Sequence, residues 1–256
     1  MTVEFDVRDD IAVIAIDRPE RRNAVDAQTA QALFDAFRRF DADERLSVAV
    51  LSGRGGTFCA GADLKAIAAG DSNTVRVDGE PGPMGPTRLR LGKPVIAAVE
   101  GHAVAGGLEL ALWADLRVAG RSAVFGVYCR RFGVPLVDLG TVRLPRLIGQ
   151  SRAADMILTG RPVAADEALS FGLVNRLVDD GAALAAAIEL AGQITAFPQR
   201  CLRNDRRSLL EQWGLSEAEA LRNEVRLGIE TIGSGETGAG ARSFESGKGR
   251  HGTFTD

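Results

Sequence analysis

The chain has 256 residues, 45% of them hydrophobic and 25% charged, with a net charge of −3. That is enough apolar material for one large core, or a core with an appendage, and it leaves no basic footprint for DNA or RNA. Three cysteines, Cys59, Cys129 and Cys201, are odd in number and far apart, which fits reduced thiols in a cytoplasm and not a disulfide framework. Two histidines and no paired-cysteine motif speak against structural zinc. The opening MTVEFDVRDD is acidic where a signal peptide is basic. The most apolar window, 95–119, is broken by Glu100, His102, Glu109 and Asp115, so no membrane span is expected.

In chain order, residues 3–8 and 11–17 flank Asp9-Asp10 and predict a β-hairpin. A charged loop from Arg18 to Asn23 follows. Asp26 then stands where it can cap a helix with Ala27, Ala30, Leu33, Phe34, Phe37 and Phe40 on one side. Residues 48–51 read as a short buried strand, and the small residues of 58–65 lead into another helix. Residues 68–91, with GEPGPMGP at 79–86, have the least pattern and are expected to form a mobile loop or lid.

The central stretch, 93–120, carries the anomaly. Pro94 opens an apolar strand at 95–99, a turn passes Gly101, and Ala105-Gly106-Gly107 enters an apolar helix ending near Trp113. Glu109 lies in the first turns of that helix among Leu, Ala and Trp. Taking a carboxylate out of water costs several kcal/mol or shifts its pKa, so it needs a partner or a task. The glycines before it leave backbone N–H groups bare at a helix N-terminus, where negative charge is favoured. A core ion pair with Arg131 or Arg143 is the alternative reading.

Beyond it, 115–119 predicts a strand, 123–126 a strand end, and 127–139 a loop. Residues 141–148, 151–158 and 164–170 predict helices, and 173–178 a strand. From Gly181 onward the pattern is helical, over 182–195, 198–213 and 216–232. The organisation expected is an α/β body over 1–195 that holds the site and a helical region over 196–256 for docking or self-association.

Three segments in this order, FCAGADLK (58–65), KPVIAAVEGHAVAGGLELA (93–111) and FGV…GVPLVDLGTVRLPRLIG (125–149), resemble the crotonase superfamily of enoyl-CoA hydratases and isomerases. LTGRPVAADEALSFGLVN (158–175) fits the same pattern. The resemblance implies an α/β fold, a crotonase-like spiral of ββα units, with a helical C-terminal region that assembles trimers, commonly paired into hexamers. It implies that two backbone N–H groups, of Ala62 and Gly106, grip a thioester oxygen as charge develops on it. Glu109 would be the acid–base group, and the reaction expected is addition of water to a trans-2-enoyl-CoA. Ala60, Asp63 and Leu64 would line the CoA moiety, with Arg22, Ala24, Val25 and Lys65 near its pantetheine and phosphates. Phe244 and Lys248 would add to CoA binding from the C-terminal part. No metal or redox cofactor is implied, because CoA arrives on the substrate.

One departure matters. Hydratases of this family carry a second glutamate in an FGxPE segment; here that segment reads FGVYC, with Cys129 in the acyl site in its place. A thiol with a pKa of about 8.5 is a poor substitute for a carboxylic acid. Asp138 falls near a second carboxylate of the dienoyl-CoA isomerases, off by one in register; the blander reading makes it a helix N-cap. Asp63 reads equally as an N-cap or a ligand contact. Arg130 and Arg131 could anchor the loop, meet a partner subunit or line the acyl pocket. Cys129 with His102 as a nucleophile–base pair lacks a third, orienting residue. The GxGxxG at 233–238 follows a helix and not a strand, so it is no nucleotide fingerprint. The competing functions are isomerisation, thioester hydrolysis or decarboxylation at the same site, or non-catalytic acyl-CoA binding.

Overall fold

The structure is a computed structural model of the chain and describes residues 2–249. The expected hairpin forms: β1 (Val3–Arg8) pairs antiparallel with β2 (Ile11–Ile16) through a turn at Asp9, where φ is 55°. All six residues of β2, IAVIAI, are buried. An unbroken apolar run of this kind suits a strand covered on both faces. Asp26 caps α1 (Ala27–Ala42), accepting from the Thr29 N–H at 2.8 Å, and the chain returns as β3 (Val48–Gly53) parallel to β2.

The next elements are α2 (Leu64–Ala68), β4 (Val95–Val99), β5 (His102–Val104), α3 (Gly106–Trp113), β6 (Leu116–Gly120) and β7 (Val124–Gly126). Then come α4 (Gly140–Ile148), α5 (Gln150–Thr159), β8 (Val163–Ala164), α6 (Ala165–Ser170), β9 (Arg176–Val178) and α7 (Ala183–Thr195). A six-stranded sheet in the order β1-β2-β3-β4-β6-β9 is parallel after its first pair, and a small sheet has the order β5-β7-β8. β4 and β5, and then β6 and β7, thus go one to the large sheet and one to the small, and a helix follows each pair. Alternate residues of the large sheet point opposite ways. Ala12, Ile14, Leu51, Ala97 and Val99 join the core with α1 and α3, whereas Val13, Val50, Ile96 and Val118 lie under Ala187, Leu190 and Ala191 of α7.

The segment expected to be a lid divides in two. Residues 74–80 are exposed, but Met84, Thr87, Leu89 and Leu91 are buried in the core cluster or against it. Asn73 fixes the first part, donating from Nδ2 to the carbonyls of Val25 (3.1 Å) and Pro83 (2.7 Å). The second part is therefore wall and not flap, because a packed Met and a buried Thr tie it down.

The described residues fall into two compact units that divide between Ile194 and Thr195. The second holds α8 (Gln199–Glu211), α9 (Glu217–Gly233) and α10 (Glu236–Glu245). A reciprocal capping box between Ser216 and Glu219 starts α9. Asn204 joins α8 to α9 by donating to the Leu227 carbonyl at 3.1 Å and to Thr231 Oγ1 at 2.9 Å. Among the described residues, no helix is long and apolar enough to cross a membrane.

Candidate active site

The site begins where β5 meets α3. Ala105 holds a left-handed φ of 54° with ψ of −126°, a conformation that costs a non-glycine residue of order 1–3 kcal/mol. Its own N–H is tied to the Gly126 carbonyl at 2.8 Å. The strained step turns the chain abruptly into α3, so that Gly106 is the first helical residue and its N–H has no acceptor within the helix. A second stretch approaches from the side. Val25 and Ala62 form a parallel bridge through Val25 N–H to the Gly61 carbonyl (2.8 Å) and Asp63 N–H to the Val25 carbonyl (3.0 Å). That pattern sends the Ala62 N–H the other way. The two stretches are close: a Cβ on Gly61 would stand 2.9 Å from the Gly106 nitrogen. Ala62 and Gly106 line one cavity of about 330 Å³, together with Ala60, Leu64, Glu109, Cys129 and Asp138.

Glu109 projects from the first turn of α3 and is only 2% exposed. It forms no ion pair with Arg131 or Arg143. Instead its Oε1 accepts two backbone N–H groups, from Asp138 at 2.9 Å and Gly140 at 2.8 Å. Among the described residues no donor reaches Oε2. Gly140 leaves little room, since a Cβ there would lie 2.8 Å from Oε1 and 2.9 Å from Cγ. Burial, and after it the charge of Asp138, push the Glu109 carboxyl up to about 7, against the pull of the two amides and of Arg143. A carboxyl balanced near neutrality can both give and take a proton there.

Asp138 corrects the sequence reading. It is no N-cap: the N-cap of α4 is Leu139, at φ 67°, without a side-chain cap. The Asp138 side chain turns inward, 1% exposed, and Oδ1 accepts from the Met84 N–H at 3.2 Å and from the Thr87 hydroxyl. Burial raises its pKa, opposed by Thr87, Met84, Arg88 and Arg143. Both carboxylates thus have one oxygen tied and one without a protein donor among the described residues. Arg143 braces the corner, donating to the carbonyls of Asp138 (3.1 Å) and Thr87 (2.7 Å). Its own pKa falls to about 10 because it is desolvated. The sequence signal for Asp138 is its nearness, one position off register, to a second carboxylate of the dienoyl-CoA isomerases.

Cys129 lines the cavity as a buried thiol whose pKa is raised by burial and then by Glu109, so it has no thiolate character to act with. His102 is exposed, and the pairing with Cys129 does not form; its ring faces Tyr128 at 6.5 Å. Arg130 and Arg131 anchor the loop, donating to the carbonyls of Ile157 and Gly160 at 3.1 Å each, and Arg131 stacks on Tyr128 at 4.1 Å. Asp63 caps α2, accepting from the N–H groups of Lys65 and Ala66, and pairs with Arg18 at 3.1 Å. Arg22, Ala24 and Val25 run beside residues 60–63 but do not line the cavity, and Lys65 is exposed on α2. Phe244 and Lys248 are exposed in the second unit. No cluster of three His, Cys, Asp or Glu able to hold a metal occurs among the described residues.

Comparison with known proteins places this arrangement. The enoyl-CoA hydratase/isomerase family model matches residues 6–251. Enoyl-CoA hydratase EchA19 of Mycobacterium tuberculosis is 38% identical over 236 residues, 91% of this chain and 89% of the relative. Carnitinyl-CoA dehydratase of Salmonella typhi is 42% identical over 189 residues, 72% of this chain and 70% of the relative. The crystal structure of an enoyl-CoA hydratase from Mycobacterium tuberculosis superposes with a TM-score of 0.90 at 40% identity, covering 96% of each chain. The arrangement of strands and helices is therefore that of a crotonase fold, and the chain belongs to the enoyl-CoA hydratase/isomerase family.

Proposed function

We propose that the protein is a lyase that adds water across the 2,3 double bond of a trans-2-enoyl-CoA, and removes it in reverse. The observation that carries this reading is that Ala62, Gly106 and Glu109, from separate stretches, line a single cavity. The thioester oxygen accepts the N–H groups of Ala62 and Gly106. Such donors act on the charge that forms during reaction, each worth about 2.7–4 kcal/mol. The Glu109–Asp138 pair shares one proton near neutrality, since two adjacent buried carboxyls do not both ionise readily. The ionised member takes a proton from water as the water oxygen bonds to C3. The double-bond electrons move onto the thioester oxygen, and the protonated member returns a proton to C2. The sum is one water added, with the pair restored. Asp138 thereby supplies the second carboxyl that Cys129 does not.

CoA contacts by Arg22, Ala24, Val25, Ala60, Asp63, Leu64, Lys65, Phe244 and Lys248 belong to the same proposal, as does the absence of any cofactor besides substrate-borne CoA. So does self-association as a trimer or hexamer through the second unit, supported by exposed Leu209, Leu221, Ile229 and Ile232; light scattering at working concentration tests it. A cytoplasmic location is supported by three unpaired cysteines. The decisive experiment follows a panel of trans-2-enoyl-CoA thioesters by loss of enone absorbance and by product mass. A gain of one water establishes hydration. An isomer of unchanged mass makes the protein an isomerase, and binding without turnover of any thioester makes it a binding protein.

A further inference from the structure

The cavity is oversized for the chemistry at its end. Its carboxyl groups are those of Glu109 and Asp138; Ser72, Asn73 and Tyr128 add polar atoms elsewhere, and most of the remaining wall is apolar, including Met84, Val134, Pro135 and Val137. Four large apolar residues that line it are also open to solvent: Leu64 (40% exposed), Ile67 (36%), Val75 (61%) and Phe132 (67%). They come from three separate pieces of chain: α2, the exposed loop after it, and the turn after β7. An apolar rim continuous with an apolar cavity stays wet unless something apolar covers it, and each buried methylene then contributes to binding. A four-carbon acyl group held at the Ala62 and Gly106 amides would end well inside a volume of about 330 Å³ and leave that rim uncovered. The backbone behind the rim is held in place, because Asn73 is bonded on both sides and Arg88 donates to the carbonyls of Arg76 (2.7 Å) and Gly79 (3.2 Å).

We infer that the natural substrate carries an extended apolar acyl group whose far end lies across the rim formed by Leu64, Ile67, Val75 and Phe132, and that Phe132 and Val75 set this preference. The inference rests on the acyl-CoA reading given above and narrows it. With the full-length protein and linear trans-2-enoyl-CoAs of four, eight and twelve carbons, kcat/KM rises with length. The ceiling is roughly fourfold per methylene, and the expected total gain from four to twelve carbons is roughly 100-fold or more. Phe132→Ser lowers kcat/KM for the twelve-carbon substrate by roughly tenfold more than for the four-carbon one, and Val75→Ser does the same to a smaller degree. Flat or falling kcat/KM with length, or equal loss on all three substrates in Phe132→Ser, overturns the inference while leaving the hydratase reading intact. If no enoyl thioester turns over, the hydratase reading fails instead. Calorimetric binding of saturated acyl-CoAs of the same three lengths then decides: affinity that rises with length and is cut in Phe132→Ser upholds the rim, and affinity independent of length removes it.

Discussion

Two charged side chains are buried at opposite ends of α3, and they are treated in opposite ways. At the C-terminal end, Arg117 is 2% exposed and every donor of its guanidinium is used. Nε reaches the Leu173 carbonyl at 2.6 Å, Nη1 the carbonyls of Ala111 and Ala114 at 3.1 and 2.8 Å, and Nη2 the Asp115 carbonyl and Asn175 Oδ1 at 3.3 and 3.4 Å. It caps a helix end that favours positive charge and binds it to the strand beyond. At the N-terminal end, Glu109 uses one oxygen and leaves the other to a cavity. A buried charge with every hydrogen bond satisfied is structure. One left half-satisfied, against open space and beside a second carboxyl, is poised for reaction.

Substitution at the two ends should separate these roles. Glu109→Gln keeps an oxygen for the two amides, so the fold survives while kcat falls by roughly 10²–10⁴; steady-state rates beside thermal melts check both halves. Arg117→Met should do the reverse. It takes the guanidinium donors from the buried carbonyls of Ala111, Ala114 and Leu173 and costs about 3–5 kcal/mol of stability, read from urea midpoints, with the folded fraction still turning over substrate. A Glu109→Gln protein that melts as early as Arg117→Met would end the contrast.

The pH dependence of stability sharpens it further. The Glu109 carboxyl is raised from 4.5 to about 7 in the folded chain, so the native state holds more protons than the unfolded one between those values. Stability is therefore highest below pH 4.5 as far as this group is concerned, declines as pH rises through the window, and levels off above about 7, a change on the order of 3 kcal/mol. Glu109→Gln should flatten that decline, as denaturant midpoints across the window will show. The smallest effect belongs to Arg143, whose charge lowers the pKa of both carboxyls. Arg143→Met should move the acidic limb of the pH–rate profile upward by roughly half a pH unit, and Arg143→Lys should restore most of it.

Much of the α/β body was legible because its signals are local. IAVIAI at β2, Asp26 before α1, and the glycines and apolar run around Glu109 each declare themselves within a few residues. Elements held only by tertiary pairing were not. β5 is three residues long and β8 two, and α10 forms although Gly238 and Gly240 weaken its helical pattern. The N-cap reading of Asp138 fails for the same reason. Beside Leu139 it has the look of a cap, and what turns it inward is Thr87, 51 residues away in sequence. The lid reading erred where Met84 and Thr87, flanked by Gly and Pro, are packed by distant chain. Glu109 declares itself as a misfit in its own helix, whereas the sequence leaves Asp138 between a second carboxylate and a helix cap, a choice made only by the folded chain.

Gly140 has the widest consequence. It touches no part of the cavity, yet the space where its side chain would be is filled by the Glu109 carboxylate. One added methyl group would evict that carboxylate from its amide cradle into another rotamer, with the glutamate itself unchanged. A survey of variants that watched only the residues facing substrate would miss this silent off-switch at the first residue of the neighbouring helix.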